Sequence, residues 1–294
     1  MNTRPAIAVF LPADSADLPY LRCLVTAARR LGLEVEVPRE IHSLPELGVE
    51  CAGECRGVEV PSAGCRMVLS IGGDGTFLRA ARWTLQGNGA PVAGINAGSL
   101  GFLASWERDD YATLLQMAST YRIPTRQRSL LQVSCPALAA DTFAYALNEV
   151  SILRSETSQM ITVEASLQGS PLTEYTGDGL IACTATGSTG YNLSAGGPIL
   201  QPDLPAIVLT PVAPHALTQR PLVIGGDSVL RLRVRGRSSS FLLSVDGCSQ
   251  PLPIGSPVEI TRAPITLSTV HNASEDFASR LRAKLMWGEN PVPR

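Results

Sequence analysis

A glycine-rich segment with one carboxylate has the residue types that phosphate chemistry needs. Gly72-Gly73-Asp74-Gly75-Thr76 follows the apolar run of residues 67–71, which predicts a buried strand, and leads into a helical pattern over residues 76–86. Glycines at a helix N-terminus let several backbone N–H groups approach one phosphate. A carboxylate in such a loop repels the phosphate unless it binds Mg²⁺ or accepts a proton from an attacking hydroxyl. The segment therefore indicates phosphoryl transfer.

Other interpretations of this segment stay open at the level of sequence. Asp74 could instead be the N-cap of the following helix, in a tight turn that binds no ligand. Arg79 and Arg82 follow one and two turns into that helix, where a guanidinium could bind a phosphate oxygen or face solvent.

Two further segments have residues that suit a nucleotide. Asn148 and Glu149 can hydrogen-bond the hydroxyls of a ribose, although a polar pair at the end of a strand would look the same. Residues 186–194 place glycines and small hydroxyl side chains around Tyr191, which suits close backbone approach and an aromatic face for a base. The alternative is a corner of a β-domain with Tyr191 in its core.

The elements that must position these residues begin with an alternation of strands and helices. Strands are predicted at residues 6–11, 35–37 and 91–95, and helices at residues 18–31 and 109–120. Residues 38–64 show no clear periodicity and predict an irregular or partly ordered connection. We expect an N-terminal doubly wound α/β domain, residues 1–124, with the Gly72-Gly73-Asp74-Gly75-Thr76 loop after a central strand.

The remainder of the chain is mostly β in character. Alternating or β-branched segments predict strands at residues 129–133, 143–153, 160–167, 229–234, 241–245 and 258–260. They indicate a β-rich, sandwich-like domain over residues 125–273. A last helix is predicted at residues 277–286, opened by Ser274-Glu275-Asp276 and closed before Gly288. We expect this segment, residues 274–294, to return to the N-terminal domain.

The composition excludes several other kinds of protein. The chain has 294 residues, 45% of them hydrophobic and 17% charged, which is enough apolar material for a buried core. Its net charge of −2 and the lack of a basic run argue against nucleic acid as a partner. No stretch approaches the roughly 20 apolar residues of a membrane span, and no signal-peptide pattern occurs, so we expect no membrane partner and a cytoplasmic location. Lys284 is the only lysine, so a P-loop is absent.

The seven cysteines are expected to be reduced thiols, because their number is odd and the chain is long enough to need no disulfides. Cys51, Cys55 and Cys65 together with His42 could form a zinc site, although their spacing fits no standard zinc motif.

The glycine loop resembles the one shared by NAD kinases, diacylglycerol and sphingosine lipid kinases, and 6-phosphofructokinases. Other segments are similar to the NAD kinase family of bacterial type, in family order. They are Gly94-Ile95-Asn96-Ala97-Gly98-Ser99-Leu100-Gly101-Phe102-Leu103, Ala146-Leu147-Asn148-Glu149-Val150, residues 178–198, Arg220-Pro221-Leu222-Val223, Val245-Asp246-Gly247 and Leu281-Arg282-Ala283-Lys284-Leu285-Met286-Trp287-Gly288. These matches cover most of the chain from residue 67 onward.

This resemblance implies a phosphotransferase that acts on an alcohol group. It would transfer the terminal phosphate of ATP to the 2′-hydroxyl of the adenosine ribose of NAD, giving NADP, with Asp74 as the proton acceptor. The candidate NAD-binding residues are Asp74, Gly75, Arg79, Asn148, Glu149, Thr176, Asp178, Thr189, Gly190, Tyr191, Asn192, Leu193, Ser194 and Cys248. The candidates for binding the ATP phosphates are Gly72, Gly73, Gly75 and Thr76.

The resemblance also implies a divalent cation and an oligomer. Mg²⁺ would come with the nucleotide rather than sit in a protein cage, with Asp74 as a further ligand or not. The assembly would be a homodimer or homotetramer. The chain departs from the family at Ala185, where proline is common, and at Gly190, where alanine is common. It also departs at Thr176, where a basic residue is common, and at Cys248, where glutamine often follows Asp-Gly.

The sequence leaves several alternatives. The same loop serves lipid and sugar kinases, and a non-catalytic NAD(P)-binding regulator could retain the other motifs. The phosphate donor could be ATP, another nucleotide or polyphosphate, and the acceptor NAD or NADH.

Overall fold

A computed structural model of the chain describes residues 5–13, 16–98, 101–139, 142–156, 159–274 and 276–287. The chain divides into two units. The first comprises Met1–Gln127 with Leu267–Arg294, and the second is Arg128–Thr266.

The first unit is built on a parallel sheet. Its strands are β1 (Ala6–Phe10), β2 (Glu34–Pro38), β3 (Arg56–Val58), β4 (Cys65–Gly72) and β5 (Val92–Asn96), in the order β5-β4-β1-β2-β3. Every pairing among them is parallel. The chain moves from β1 toward β3 in one direction and from β4 to β5 in the other. The sheet therefore reverses its order between β1 and β4, where ligands of such sheets bind.

Helices cover both faces of this sheet. The helices of the unit's N-terminal part are α1 (Leu18–Arg30), α2 (Arg39–His42), α3 (Val49–Glu54), α4 (Asp74–Gln86) and α5 (Tyr111–Thr120). Alternate residues of β4 and β5, such as Leu69 and Ile95, share a core with α1 and α5. On the opposite face Gly94 lies against α4, since a Cβ there would be 2.8 Å from the Phe77 ring. The predicted doubly wound α/β arrangement is confirmed.

The connection at residues 38–64, which was expected to be irregular or partly ordered, has more regular structure than predicted. This segment contains α2, α3, β3 and a short 3₁₀ helix, Pro45–Leu47. Elements of three to six residues are too short to show a periodicity. Tertiary contacts hold them: the Arg22 Nε donates to the Leu47 carbonyl at 3.2 Å, and the buried Glu36 carboxylate accepts from the Arg56 guanidinium and from the Ser62 N–H at 2.9 Å.

The second unit is β-rich. The strands that form it are β6 (Thr125–Ser134), β7 (Tyr145–Ala146), β8 (Glu149–Arg154), β9 (Ile161–Leu167), β10 (Ser170–Gly177), β11 (Gly179–Thr184), β12 (Ala206–Val212), β13 (Leu222–Gly225), β14 (Leu230–Arg235), β15 (Ser240–Val245), β16 (Cys248–Pro253) and β17 (Pro257–Val270). The ends of β6 and β17 belong to the first unit. Two short helical turns are also described here, a 3₁₀ helix (Thr186–Thr189) and α6 (Tyr191–Ser194).

Two sheets of this unit share one core. One has the order β13-β12-β11-β8-β15-β16, and the other includes β10-β9-β14-β17. Ile152 and Leu180 of the first pack in the same apolar cluster as Val163 and Leu232 of the second. Along β14, leucine and valine are buried while the alternating arginines are exposed. This agrees with the predicted sandwich-like, β-rich architecture.

Sequence patterns missed five strands of this unit, β10 to β13 and β16. Strand β11 is buried along its whole length, so it lacks the alternation of a half-exposed strand. Strand β16 contains Pro251 and Pro253, which are tolerated because it lies at the edge of its sheet.

The C-terminal segment of the first unit ends in a capped helix. Helix α7 (Phe277–Leu285) has Asp276 as its N-cap, whose carboxylate accepts from the Ser279 N–H at 2.9 Å. Leu281 is buried, and the Arg280 guanidinium donates to the Phe102 carbonyl. Glu275 and Gly288 of the predicted helix boundaries lie outside the described residues. In the part of the chain that is described, none of the helices is long and apolar enough to span a membrane.

The buried carboxylate of Glu36 gives a test of this packing. Its side chain is fully buried, whereas the Arg56 side chain is 56% exposed. We expect Arg56→Gln to lower the free energy of unfolding by about 1.5–3 kcal/mol, because a charge-assisted hydrogen bond to a buried carboxylate is lost. The midpoint and slope of urea unfolding measure this change.

The matched control is Arg39→Gln, which removes an exposed ion pair with Glu59 at 3.1 Å. Its effect should be about 0–1 kcal/mol. Equal effects of the two substitutions would contradict the structural role of the Glu36–Arg56 pair.

Candidate functional site

The glycine loop connects β4 to α4 by a sharp turn of open backbone. Gly72 has φ +148°, and a Cβ there would lie 2.5 Å from the Thr76 Oγ1. Gly73 is the N-cap of α4 and Asp74 its first residue. At Gly73 and Gly75, apart from neighbouring backbone, no heavy atom of the described residues lies within 4 Å of the position that a Cβ would take. The backbone at the N-terminus of α4 is therefore open to close approach, which is what a bound anion would need.

The carboxylate of Asp74 is bound by the backbone of a distant segment. Its Oδ2 accepts from the Phe102 N–H at 2.9 Å, and its Oδ1 accepts from the Leu103 and Ala104 N–H groups at 2.9 and 3.3 Å. A Cβ at Gly101 would lie 2.1 Å from the Asp74 Oδ1, so only glycine fits there. The interpretation of Asp74 as a helix N-cap is wrong, because Gly73 is the N-cap and no side chain caps this helix.

The segment that holds Asp74 is itself fixed from its other side. Arg280 of α7 donates to the Phe102 carbonyl, and the Asn272 Nδ2 donates to the Ser105 carbonyl at 2.9 Å. Sequence reasoning did not find these residues, because nothing in a local pattern marks contacts over more than 160 positions. Ser99 and Leu100 of the predicted motif lie outside the described residues.

The two arginines of α4 differ in their surroundings. Arg79 is exposed, with its guanidinium carbon 5.9 Å from the ring centroid of Phe10. Phe10 ends β1, so Arg79 lies on the side of α4 that faces the point where the sheet reverses its order. Arg82 is partly buried. The structure thus brings Gly72, Gly73, Asp74, Gly75, Thr76 and Arg79 to one end of the parallel sheet.

In the second unit, a second carboxylate accepts three backbone N–H groups. The Asp246 Oδ2 accepts from Leu147 at 2.6 Å, and its Oδ1 accepts from Asn148 and Glu149 at 2.9 and 3.0 Å. Asp246 and Gly247 form the turn between β15 and β16, with φ values of +46° and +81°. The sequence placed Asp246 in a family motif without giving it a role.

The carboxyl groups of Glu149 and Asp246 are both hard to ionise. Burial and, to a smaller extent, the nearby Asp246 charge raise the pKa of Glu149 to about 7, although a hydrogen bond from the Tyr191 N–H opposes this rise. Burial also raises the pKa of Asp246, to about 6, against the stabilising effect of its three N–H donors. Near neutral pH, Glu149 can therefore be found both protonated and ionised.

Two polar atoms of this region are buried and have no hydrogen-bond partner among the described residues, the Asn148 Oδ1 and the Glu149 Oε2. Buried acceptors usually have a partner, so these two are suited to donors of a ligand, such as ribose hydroxyls. A Cβ at Gly190 would lie 3.2 Å from both the Asn148 Nδ2 and the Glu149 Oε2. Glycine at this position leaves the space beside the Asn148–Glu149 pair open.

The segment of residues 186–198 passes close to the Asn148 and Glu149 side chains at Gly190. Asn192 is fully buried: its Nδ2 donates to the Ser188 and Pro198 carbonyls, and its Oδ1 accepts from Thr210 at 2.6 Å. The Asn192 side chain thus supports the segment from within. Tyr191 is 39% exposed, so the alternative of a core tyrosine is wrong. Thr189, Gly190 and Leu193 are partly buried and Ser194 is exposed.

The remaining candidates lie elsewhere in the unit. Asp178 precedes β11 and forms an ion pair with Arg154 at 3.0 Å, and the Thr176 Oγ1 is 3.0 Å from the Thr162 Oγ1. In the β11–β8 pairing Gly179 is opposite Leu153, whereas Cys183 is opposite Glu149. At about 3.3 Å per residue, Asp178 is on the order of 15 Å from the Glu149 end of β11. Cys248 is exposed at the start of β16.

The structure does not show a zinc site formed by Cys51, Cys55 and Cys65 with His42. The His42 Nε2 is 3.1 Å from the Ala52 carbonyl, and the Cys65 Sγ is 3.4 Å from the Met67 carbonyl. Within the described ranges, no group of three or more His, Cys, Asp or Glu side chains could hold a metal ion. All seven cysteines lack disulfides.

Comparison with known proteins shows which family has these two domains. Residues 55–123 match the model of the ATP-NAD kinase N-terminal domain, and residues 147–271 match that of the ATP-NAD kinase C-terminal domain. An NAD kinase of Flavobacterium johnsoniae is 45% identical over 226 residues, which are 76% of this chain and 76% of that protein. An NAD kinase of Bacteroides fragilis is 42% identical over 222 residues, again 76% of each chain.

Solved structures show the same fold. Yeast NADH kinase complexed with NADH has a TM-score of 0.83 at 21% identity, covering 99% of this chain and 89% of that one. An NAD kinase from Archaeoglobus fulgidus in complex with ATP has a TM-score of 0.71 at 23% identity, covering 96% of this chain and 99% of that one. A lipid or sugar kinase is not favoured by any of these relatives. On the evidence of both domain models and of relatives above 40% identity, the chain belongs to the NAD kinase family.

Proposed function

We propose that this chain transfers the terminal phosphate of ATP to the 2′-hydroxyl of the adenosine ribose of NAD, giving NADP and ADP. The observation that carries this proposal is the carboxylate of Asp74. It is fixed by three backbone N–H groups at the open N-terminus of α4, where phosphates can be bound.

The hydrogen bonds of Asp74 leave room for one more partner. An ionised carboxylate has about four acceptor positions. The Oδ1 of Asp74 uses two and its Oδ2 uses one, so the remaining position is on the Oδ2. In the proposed step this oxygen accepts the proton of the 2′-hydroxyl while the ribose oxygen bonds to the γ-phosphorus and the bond from that phosphorus to ADP breaks.

The glycine loop would hold the donor. Gly72, Gly73, Gly75 and Thr76 are proposed to bind the ATP phosphates through backbone N–H groups, since no side chain obstructs Gly73 or Gly75. Mg²⁺ bound with ATP would neutralise phosphate charge there, and the one open position of the Asp74 carboxylate would serve either this cation or the 2′-hydroxyl proton. Catalysis is then mainly positioning and charge neutralisation.

The acceptor would be bound chiefly by the second unit. We assign the ribose hydroxyls to Asn148 and Glu149, because each has a buried acceptor atom without a partner in the described structure. The exposed ring of Tyr191 offers a face for a base, and Thr189, Gly190, Leu193 and Ser194 border it along the chain. More distant parts of the dinucleotide would be contacted by Thr176, Asp178 and Cys248. Its phosphates would be contacted by Gly75 and Arg79. Asn192 would act indirectly, through its support of residues 186–198.

Further parts of the proposal rest on the family and on general chemistry. We propose that the enzyme is cytoplasmic, which agrees with its seven reduced cysteines. We also propose a homodimer or homotetramer, and domains at residues 1–124, 125–273 and 274–294. A direct assay distinguishes ATP, another nucleotide and polyphosphate as the phosphate donor, and NAD and NADH as the acceptor.

Replacing the central carboxylate tests the catalytic assignment. Asp74→Asn should reduce NADP formation by at least about 10²- to 10⁴-fold, the usual contribution of a general base. An asparagine Nδ2 would also oppose one of the N–H donors of residues 102–104, so the loop would be held less well. A coupled NADP assay gives the rate, and a thermal unfolding curve shows that the protein folds.

The matched control is Asp227→Asn, which removes an exposed carboxylate that pairs with Arg262 at 2.6 Å. It should leave turnover unchanged. Near-wild-type activity of Asp74→Asn would sink the assignment.

Glu149 makes the binding of NAD dependent on pH. Its pKa is raised to about 7, so the ionised form, which accepts hydrogen bonds from ribose hydroxyls, dominates only above that pH. If only this form binds, the KM for NAD should fall about tenfold as the pH rises from 6 to 8. KM measured across this range, at saturating ATP, gives the profile.

Glu149→Gln provides the comparison, because a neutral amide cannot titrate. Its KM for NAD should be higher than that of the wild type at pH 8 and flat with pH. An unchanged step near pH 7 in this variant would assign the titration to another group.

A further inference from the structure

Asp246 closes a gap in the hydrogen bonding of the second unit. Strand β7 ends at Ala146 and β8 begins at Glu149, so Leu147 and Asn148 lie between strands. Their N–H groups, with that of Glu149, donate to the Asp246 carboxylate at 2.6–3.0 Å. The Asp246 N–H donates in return to the Glu149 carbonyl at 3.0 Å.

The carbonyl oxygens of Leu147 and Asn148 accept hydrogen bonds from Thr184, the last residue of β11. The Thr184 Oγ1 donates to the Leu147 carbonyl at 2.6 Å, and the Thr184 N–H donates to the Asn148 carbonyl at 2.9 Å. Gly187 lies so close that a Cβ there would be 2.1 Å from the Asn148 carbonyl oxygen. The backbone of residues 147–149 is thus fixed from two sides, by Asp246 and by Thr184.

We propose that Asp246 is a positioning residue for the nucleotide acceptor: its carboxylate fixes the backbone that presents Asn148 and Glu149, and its negative charge acts directly on Glu149. This inference rests on the proposed function for the identity of the ligand. Its physical content, the coupling of Asp246 to Glu149, does not depend on that ligand.

The groups that act on Glu149 come from three elements. Asp246, in the β15–β16 turn, is the negative charge that disfavours the ionised form of Glu149. The start of α6 contributes the Tyr191 N–H, which favours it. Strand β11 contributes the Cys183 thiol, whose pKa is raised to about 12 by burial and by Glu149, so that it is neutral in the physiological range. Asp246 is therefore the group whose removal should change the titration of Glu149.

A substitution that keeps the shape but removes the charge separates this role from a merely structural one. In Asp246→Asn the Glu149 pKa should fall from about 7 by at least about one unit, because the repelling charge is gone. One carboxylate acceptor also becomes an amide donor, which faces an N–H donor of residues 147–149. The KM for NAD at pH 8 should therefore rise about tenfold while the KM for ATP stays within about twofold.

The readout is the ¹³C chemical shift of the glutamate side-chain carboxyl carbon against pH, with the Glu149 signal assigned by its loss in Glu149→Gln.

The second variant, Thr184→Val, loosens the same backbone but keeps the Asp246 charge. It should raise the KM for NAD and leave the Glu149 midpoint unchanged. Asp227→Asn, an exposed carboxylate, should change neither.

The outcomes separate this inference from the proposed function. An unchanged Glu149 midpoint in Asp246→Asn, or an unchanged KM for NAD, would overturn the positioning role. A wild-type protein that forms no NADP would overturn the proposed function, while the carboxyl titration would still measure the coupling. If Asp246→Asn does not fold, the wild type decides: the Glu149 curve must show a second inflection where Asp246 titrates, and a single-step curve rejects the coupling.

Discussion

The hydrogen bonds from the backbone of residues 102–104 to the carboxylate of Asp74 determine how the first unit presents its chemistry. A buried or half-buried carboxylate is stable only when its oxygens are satisfied, and here successive amides supply that satisfaction. Those amides can reach Asp74 because Gly101 has no Cβ and because Arg280 and Asn272 hold the carbonyl side of the same segment. The orientation of one side chain thus depends on β4, on the loop after β5 and on the C-terminal helix.

The second unit uses the same device for a different purpose. Asp246 also accepts three successive backbone N–H groups, but the peptides it holds carry the Asn148 and Glu149 side chains. In the proposed function, the carboxylate of the first unit is the reacting group, and the backbone positions it. For the second unit we propose the reverse: the carboxylate positions the backbone, and the neighbouring side chains contact the ligand. Burial, together with the nearby charge of Asp246, raises the pKa of Glu149 to about 7.

Local sequence patterns predicted much of this arrangement. The glycine loop follows a run of buried residues and precedes an apolar helical stripe, so β4, α4 and the glycine turn between them could be placed from residues 67–86 alone. The choice of Asn148 and Glu149 came from residue chemistry together with the family resemblance. Local patterns failed where the elements are short, as in residues 38–64, or buried along their whole length, as in β11.

The supporting contacts could not be predicted in this way, because each joins residues far apart in the chain. Arg280 meets Phe102, and Asp246 meets Leu147, across about a hundred positions or more. Isolated aspartates and arginines have no periodicity to mark them. Only glycine fits at positions 101 and 187, because the folded chain brings an oxygen atom within 2.1 Å of where a Cβ would lie. These atoms are the Asp74 Oδ1 and the Asn148 carbonyl oxygen, and neither contact is visible in the local sequence.

We propose that this enzyme phosphorylates one hydroxyl of one dinucleotide. The most direct measurement is the ³¹P NMR spectrum of the product formed from NAD and ATP by the purified protein with Mg²⁺. We expect one new phosphate monoester, coupled to the proton at the 2′ position of the adenosine ribose, together with ADP. A phosphate on the 3′ position, or hydrolysis of ATP without any new monoester, would contradict it.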